Sequence, residues 1–186
     1  GSGKTIVALT ALLTAVDNKM QSALMVPTEI LAEQHYLNIR PYCESLGIEL
    51  SLITSALKGK DRQKLYENIR TGKTQIVVGT HSLIQKDIQF KKLGLAVVDE
   101  QHRFGVLQRD AMGKKGDHPH LLIMTATPIP RSLALTLYGD MDVSLLDEFP
   151  PGRKKIATEL FYENRRERAY GILEKQLQQG RQAFVV

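Results

Sequence analysis

Two groups of polar residues, about a hundred positions apart, have side chains suited to holding phosphates and a divalent metal ion. The first, Gly1-Ser2-Gly3-Lys4-Thr5, joins glycines to a lysine and a hydroxyl, and the second, Asp99-Glu100-Gln101-His102, sets two carboxylates beside a histidine. Glycine-rich loops let backbone amides approach phosphate oxygens, and Mg²⁺ prefers oxygen ligands. Together the two groups predict a site that binds and hydrolyses a nucleoside triphosphate with Mg²⁺.

The first group is expected to bind the phosphates. The backbone amides of Gly1, Ser2 and Gly3 are predicted to face the β- and γ-phosphate oxygens, assisted by the positive end of the helix that follows. Lys4 is expected to neutralise phosphate charge, and the Thr5 hydroxyl is expected to coordinate Mg²⁺. Apolar residues then recur at helical spacing, which is the context that such a loop requires: Ile6, Leu9, Leu13 and Val16.

The second group directly follows the apolar run 95–98, which reads as a buried strand. Ligands bind at the carboxyl ends of such strands in open α/β sheets. Asp99 is expected to hold Mg²⁺, and Glu100 to orient and deprotonate the water that attacks the γ-phosphate in line. We place Gln101 and His102 in the same catalytic set. Two alternatives are an acidic helix start, stabilised by the helix dipole, and a purely structural role for His102.

Helices and strands alternate along the chain, which predicts an α/β fold. Strands with near-continuous apolar residues indicate a mostly parallel sheet with helices on both faces. The predicted strands are 23–26, 49–53, 75–78, 95–98, 120–124 and 143–146. The predicted helices are 5–16, 28–46, 61–70 and 130–138, with Pro41 expected to kink or break the second near Ile39-Arg40.

Consecutive prolines in Phe149-Pro150-Pro151-Gly152-Arg153 predict a linker. We therefore expect a first domain over residues 1–148, a linker over 149–155 and the start of a second α/β domain over 156–186. The last segment is predicted to hold a strand (156–161), a helix (164–179) and the start of another strand near 183. A complete phosphate loop opens with an earlier glycine and follows a strand, and this sequence shows neither before Gly1. For this reason we expect the isolated chain to aggregate and to be inactive.

Three further segments follow predicted strands. Thr125-Ala126-Thr127 carries hydroxyls that can reach His102 and change their hydrogen bonding, which suggests a coupling element, although an ordinary turn explains them too. Pro27-Thr28-Glu29 and Gly79-Thr80-His81 each present backbone amides at a helix start, where nucleic-acid phosphates bind. A plain helix cap is the alternative for each of these two segments.

Composition sets wider limits. A net charge of +5 and a pI near 9.3 are compatible with a polyanionic partner without requiring one. No apolar run approaches the ~20 residues of a membrane span, so we expect no membrane partner. The single cysteine, Cys43, cannot form an internal disulfide, which favours a reducing, cytoplasmic compartment and a buried thiol.

The order GSGKT, PTEILAEQH, VGTHSLI, VVDEQHRFGVLQR and TATPIPR resembles motifs I, Ia, Ib, II and III of superfamily 2 helicases. Segments 103–109, 127–136 and 147–153 narrow the resemblance to the RecG family of bacterial ATP-dependent DNA helicases. This resemblance implies RecA-like motor domains, ATP and Mg²⁺ as cofactors, and the remodelling of stalled forks and Holliday junctions. Branched double-stranded DNA is then the partner, with no small-molecule substrate beyond ATP. Arg131 joins the coupling residues. Separately from the resemblance, we expect a monomer.

Two other readings remain. The transcription-repair coupling factor shares RFGV and TATPIPR, but it typically has DEEH where this chain has Gln101. A protein of another class, a P-loop ATPase that acts on a partner other than nucleic acid, would also use the first two groups of residues. The segments after Pro27, Gly79 and Thr125 argue against this second reading, because such an ATPase has no need of phosphate-binding loops there.

Overall fold

A computed structural model describes residues 3–99, 115–116, 118–125, 142–146 and 156–185. The described strands are β1 (Gln21–Met25), β2 (Leu50–Ile53), β3 (Ile76–Gly79), β4 (Leu93–Val98) and β5 (His120–Ile123). The described helices are α1 (Lys4–Asp17), α2 (Glu29–Ser45), α3 (Gly59–Thr71) and α4 (Arg166–Gln178). The chain divides into two compact units, Gly1–Phe149 and Pro150–Val186, and α4 belongs to the second.

All five strands run parallel, in the order β2-β3-β1-β4-β5. Alternate strand residues point to opposite faces, and both faces are covered. Helices α1 and α2 pack on one face, over Leu24, Val26, Val78 and Val97. Helix α3 and the short 3-10 helix His81–Ile84 pack on the other, over Ala23, Met25, Val77 and Val98. The predicted α/β fold class is confirmed.

Pro41 lies inside α2, and the helix continues past it to Ser45. Of the two predicted effects of Pro41, a kink or a break near Ile39-Arg40, the break is therefore wrong, and the kink stays a prediction. Proline removes the backbone N–H that would bond to the carbonyl of residue Leu37, four positions earlier. Both residues lie on the exposed side of α2, where water can hydrate that carbonyl, so the helix tolerates the loss.

Three of the predicted strands are wrong. Residues 142–146, 156–162 and 181–185 adopt neither helix nor strand, and their apolar side chains are largely exposed: Val143 61%, Leu145 75%, Ile156 81% and Phe184 90%. A strand is defined by hydrogen bonds to a neighbour as well as by its apolar residues. Among the described residues, no strand pairs with these segments. An apolar run by itself is therefore not sufficient to predict a strand.

Cys43 is buried on the inner side of α2 and forms no disulfide, as predicted. Burial, with a smaller effect of Glu44, raises the pKa of its thiol, so the uncharged form is favoured. No helix in the described part of the chain is long and apolar enough to cross a membrane.

The side chain of Gln21 links three segments at the amino end of the sheet: the end of α3, the residues before β3 and the residues before β4. It is 4% exposed, and its amide nitrogen donates to the carbonyls of Ile69 (2.9 Å) and Thr74 (2.7 Å). Its amide oxygen accepts from the backbone N–H groups of Lys91 (2.8 Å) and Lys92 (3.1 Å). All four hydrogen-bonding positions of the amide are used, so Gln21 joins the end of α3 to the approach to β4.

Replacing Gln21 with leucine is expected to lower the free energy of unfolding by about 2–4 kcal/mol, because buried backbone groups lose their partners. Gln75→Leu is the matched control. The Gln75 amide oxygen accepts one exposed bond, from Glu49 N at 3.1 Å, and its loss should cost less than about 1 kcal/mol. Chemical unfolding of the purified protein measures both values. Equal losses would show that the Gln21 network contributes no special stability.

Candidate active site

The carboxyl ends of four strands are level with one another. Met25 of β1 pairs with Gly79 of β3 and with Val98 of β4, and Val98 pairs in turn with Ile123 of β5. The chain therefore leaves all four strands at one end of the sheet. We call the residues just beyond these strand ends the carboxyl lip: 26–28, 80, 99 and 124–125. Asp99 and the predicted segments that start at Pro27 and Thr125 begin on this lip, and the segment Gly79-Thr80-His81 enters it at Thr80.

Helix α1 also directs its amino terminus towards the carboxyl lip. Only residues 18–20 join α1 to β1, so the helix must run antiparallel to the strand that it covers. Its 14 residues span about 21 Å, enough to return along the sheet. Lys4 and Thr5, at its start, are partly exposed.

The amino terminus of α1 is open in a way that suits an anion. Gly3 precedes it with φ +86°, a left-handed conformation that glycine adopts without strain, and no side chain in the described ranges caps the helix. The first turn contains no acidic residue. The first backbone amides of a helix have no partner within it, and with Lys4 they present positive charge. This arrangement fits the predicted phosphate-binding role of Gly3, Lys4 and Thr5.

Asp99 extends the ladder one residue beyond β4, because its backbone N–H donates to the carbonyl of Met25 at 2.9 Å. Its carboxylate oxygen Oδ2 lies 3.1 Å from Nε2 of His35, on α2. The two side chains are 16% and 11% exposed, so the contact is largely shielded from water. Asp99 is thus held at the lip by its backbone and by its side chain.

Within the described residues, no three His, Cys, Asp or Glu side chains gather to form a metal cage. Mg²⁺ at nucleotide sites is bound through one or two carboxylates together with phosphate oxygens and water, so a cage is not required. The carboxylate of Asp99 at the lip and the hydroxyl of Thr5 at the start of α1 fit that pattern.

The segment Pro27-Thr28-Glu29 starts α2 at the lip. The hydroxyl of Thr28 accepts a hydrogen bond from the backbone of Leu31 at 3.3 Å, which makes Thr28 the helix cap. The carboxylate of Glu29 accepts from the backbone N–H of Ser55 (2.6 Å) and from its hydroxyl (3.1 Å). Glu29 therefore anchors the loop after β2 to the start of α2.

The segment Gly79-Thr80-His81 leads from β3 into the short 3-10 helix. A Cβ at Gly79 would lie 3.1 Å from Leu83 Cγ and 3.3 Å from the Ile53 carbonyl oxygen, so this close approach favours glycine. Thr80 is buried, whereas His81 is exposed. Of the two side chains, only that of His81 is presented to solvent.

Lys115 stabilises the loop that follows the 3-10 helix. Its ammonium donates to the carbonyl of Ile88 at 2.7 Å and also to that of Gln85. Burial lowers the pKa of this lysine, with a smaller opposing effect of Asp87.

The structure places part of the predicted site. Thr125 follows β5 on the lip, partly buried, beside the ladder that carries Asp99. Eight predicted site residues lie outside the described residues: Gly1, Ser2, Glu100, Gln101, His102, Ala126, Thr127 and Arg131. Their roles remain predictions.

A comparison with known protein families matches the part of the chain that carries these motifs. The model of the DEAD/DEAH box helicase family matches residues 1–136. The chain belongs to this family. The match spans both predicted nucleotide-site groups and the segments on the carboxyl lip, so this helicase domain comprises most of the first compact unit.

Curated relatives narrow the comparison. The ATP-dependent DNA helicase RecG of Pasteurella multocida is 58% identical over 170 residues, which is 89% of this chain and 24% of that protein. The RecG of Bacillus subtilis is 50% identical over 186 residues, all of this chain and 27% of that protein. The predicted resemblance to RecG is confirmed. The chain spans about a quarter of the length of these relatives.

A solved structure, described as RecG bound to a three-way DNA junction, matches the whole chain with a TM-score of 0.85 and 43% sequence identity. The match covers 25% of that chain. The fold of this helicase domain is therefore the RecA-like fold predicted from its motifs.

Sequence reasoning missed His35 as an individual site residue. It stands in the motif PTEILAEQH, at helical spacing from Ala32, Ile39 and Cys43, all buried. A histidine on an apolar helix face usually reads as part of the core. The sequence contained one relevant signal. His35 follows segment 27–29 by about two helical turns, so it lies on α2 near the ends of the strands.

Proposed function

We propose that the chain is the ATP-hydrolysing motor portion of a RecG-type DNA helicase that acts on branched DNA. The observation that carries this proposal is the level register of β1, β3, β4 and β5, which collects Asp99, the two lip segments after Pro27 and Gly79, and Thr125 at one end of the sheet. The RecG relatives and the RecG–junction structure support the choice of a fork or Holliday junction as substrate.

ATP and Mg²⁺ are the cofactors in this proposal. Mg²⁺ would neutralise charge that develops on the phosphates. In the chain itself, Gly1, Ser2 and Gly3, which precede α1 in the sequence, would bind the β- and γ-phosphates together with Lys4. Thr5 and Asp99 hold the metal. Glu100 orients the attacking water and accepts its proton, as general bases at such sites do.

Hydrolysis must be linked to movement on DNA. We assign this link to Thr125, Ala126, Thr127 and Arg131, acting with His102. Thr125 begins this segment on the lip, next along the sheet from Asp99, and adjacent parallel strands lie about 4.8 Å apart. A change at the γ-phosphate can therefore be passed to this segment over a short distance.

The remaining proposals concern organisation. We assign residues 1–148 to the first motor domain, 149–155 to a linker and 156–186 to the start of the second domain; the two compact units, which divide between residues 149 and 150, support this. The protein acts as a cytoplasmic monomer on double-stranded DNA, without a membrane partner or another small-molecule substrate.

Two substitutions in the full-length protein test the nucleotide site. Lys4→Ala should lower DNA-stimulated ATPase activity by about 100-fold or more and weaken ATP binding, because phosphate charge is no longer neutralised. Glu100→Gln should lower turnover by a similar factor, about 100-fold or more, while ATP still binds. Steady-state ATPase assays and nucleotide titrations measure these effects. Normal turnover in the glutamine variant would contradict the role given to Glu100.

A double variant tests the coupling segment. Replacing Thr125 and Thr127 with alanine should leave DNA-stimulated ATPase activity within about threefold of wild type and lower fork unwinding by about tenfold or more, because hydrolysis is intact but its transmission is not. Parallel ATPase and fork-unwinding assays on the same preparation provide the measurement. Equal losses in both assays would point to a structural role.

Thr28 distinguishes a helix cap from a DNA contact. Aspartate caps helices as well as threonine does, so Thr28→Asp should preserve thermal stability, whereas Thr28→Ala should cost about 1 kcal/mol. If the lip binds phosphates, the added negative charge should weaken DNA binding severalfold at low salt and less at high salt. DNA affinity that is unchanged in Thr28→Asp would leave this segment as a cap only.

A further inference from the structure

The contact between His35 and Asp99 joins two parts of the fold that are 64 residues apart in sequence. Helix α2 supplies the histidine, and the end of β4 supplies the carboxylate. At 3.1 Å, the atoms Nε2 and Oδ2 are within hydrogen-bonding distance, and both side chains are largely buried. A hydrogen bond to a charged acceptor in such surroundings is among the stronger ones in proteins.

We propose that His35 is a positioning residue for the metal site: it donates Nε2–H to Asp99 and holds that carboxylate in the orientation in which it receives Mg²⁺. This inference rests on the proposed function, in which Asp99 is the metal ligand. It adds to the site a residue from α2 that belongs neither to segment 1–5 nor to segment 99–102.

The hydrogen bonding of the imidazole assigns the donor. The other ring nitrogen, Nδ1, is buried, and no described residue is its hydrogen-bond partner. A proton on Nδ1 would thus be buried without an acceptor, which is costly. The tautomer with the proton on Nε2 avoids this cost and directs the N–H group at Asp99.

Core packing fixes the direction in which His35 points. Ala32, Ile39 and Cys43 lie on the same side of α2 and are 0–1% exposed, so the helix cannot rotate about its axis without removing them from the core. The imidazole is consequently presented to the end of β4 at a set angle. An aspartate held by this partner loses rotational freedom before the metal binds, which favours binding.

Partners that hydrogen-bond to metal ligands typically change metal affinity by about 10–100-fold when removed. The experiment uses the full-length protein with ADP bound, and Mn²⁺ as the probe in place of Mg²⁺. Electron paramagnetic resonance of free Mn²⁺ gives the metal dissociation constant. ADP affinity in EDTA and the thermal midpoint report whether the rest of the site and the fold are intact.

Four variants separate positioning from packing. His35→Leu fills similar space without a donor, His35→Gln places an amide N–H near the position of Nε2, and His35→Asn carries the same amide on a side chain too short to reach Asp99. Ile39→Ala is the matched control, since Ile39 is buried one turn further along the same face and its hydrocarbon side chain cannot hydrogen-bond to Asp99.

We expect His35→Leu and His35→Asn to weaken Mn²⁺ binding by about tenfold or more, His35→Gln to recover most of the affinity, and Ile39→Ala to lower the thermal midpoint without changing Mn²⁺ binding. ADP affinity in EDTA should stay near that of wild type in all four. If His35→Leu does not fold, the comparison of glutamine with asparagine decides.

Equal Mn²⁺ affinity in the glutamine and asparagine variants, or an equal loss in Ile39→Ala, would overturn the positioning role while leaving the proposed function in place. Failure of the wild-type protein to bind Mn²⁺ and ADP together would instead overturn the proposed nucleotide site, and this inference with it. The two failures are therefore distinguishable.

Discussion

The placement of the site depends on the register of a parallel sheet that is covered on both faces. Helices α1 and α2 cover one face, and α3 with the short 3-10 helix covers the other, so polar chemistry is confined to the strand ends. A slip of one residue in β4 would exchange the side chains packed on the two faces and move Asp99 away from the ends of β1 and β5. Burial of apolar side chains thus fixes where the acidic residue stands.

Buried polar side chains occur at both ends of this sheet, with different consequences. At the amino end, the amide of Gln21 makes four hydrogen bonds to backbone groups, which is a complete set. At the carboxyl end, His35 bonds to a charged carboxylate through one ring nitrogen, and no described residue partners the other. The first arrangement joins backbone segments to one another. The second aims a donor at a residue predicted to bind metal.

Much of the first unit could be predicted from its sequence, because buried parallel strands are short apolar runs and their helices have a 3.6-residue period. The five described strands lie within a few residues of their predicted positions. Segments 143–146 and 156–161 are also rich in apolar residues but do not form strands, since composition says nothing of a pairing partner. The position of Asp99 at the end of a strand could be predicted, because this residue directly follows such a run. The contact with His35 could not, because it depends on how α2 rotates against the sheet.

Helix α2 links several parts of the carboxyl lip. It begins with the cap at Thr28, just after β1, and its first residue, Glu29, binds the loop after β2 through Ser55. Two turns later His35 reaches the end of β4. One rigid helix therefore contacts the ends of three strands. The buried residues of α2 hold it in one orientation on the sheet, so the segment proposed to contact DNA and the aspartate proposed to bind metal are attached to the same rigid element. The packing that forms the core thus also fixes the distance between the segment proposed to contact DNA and the proposed metal ligand.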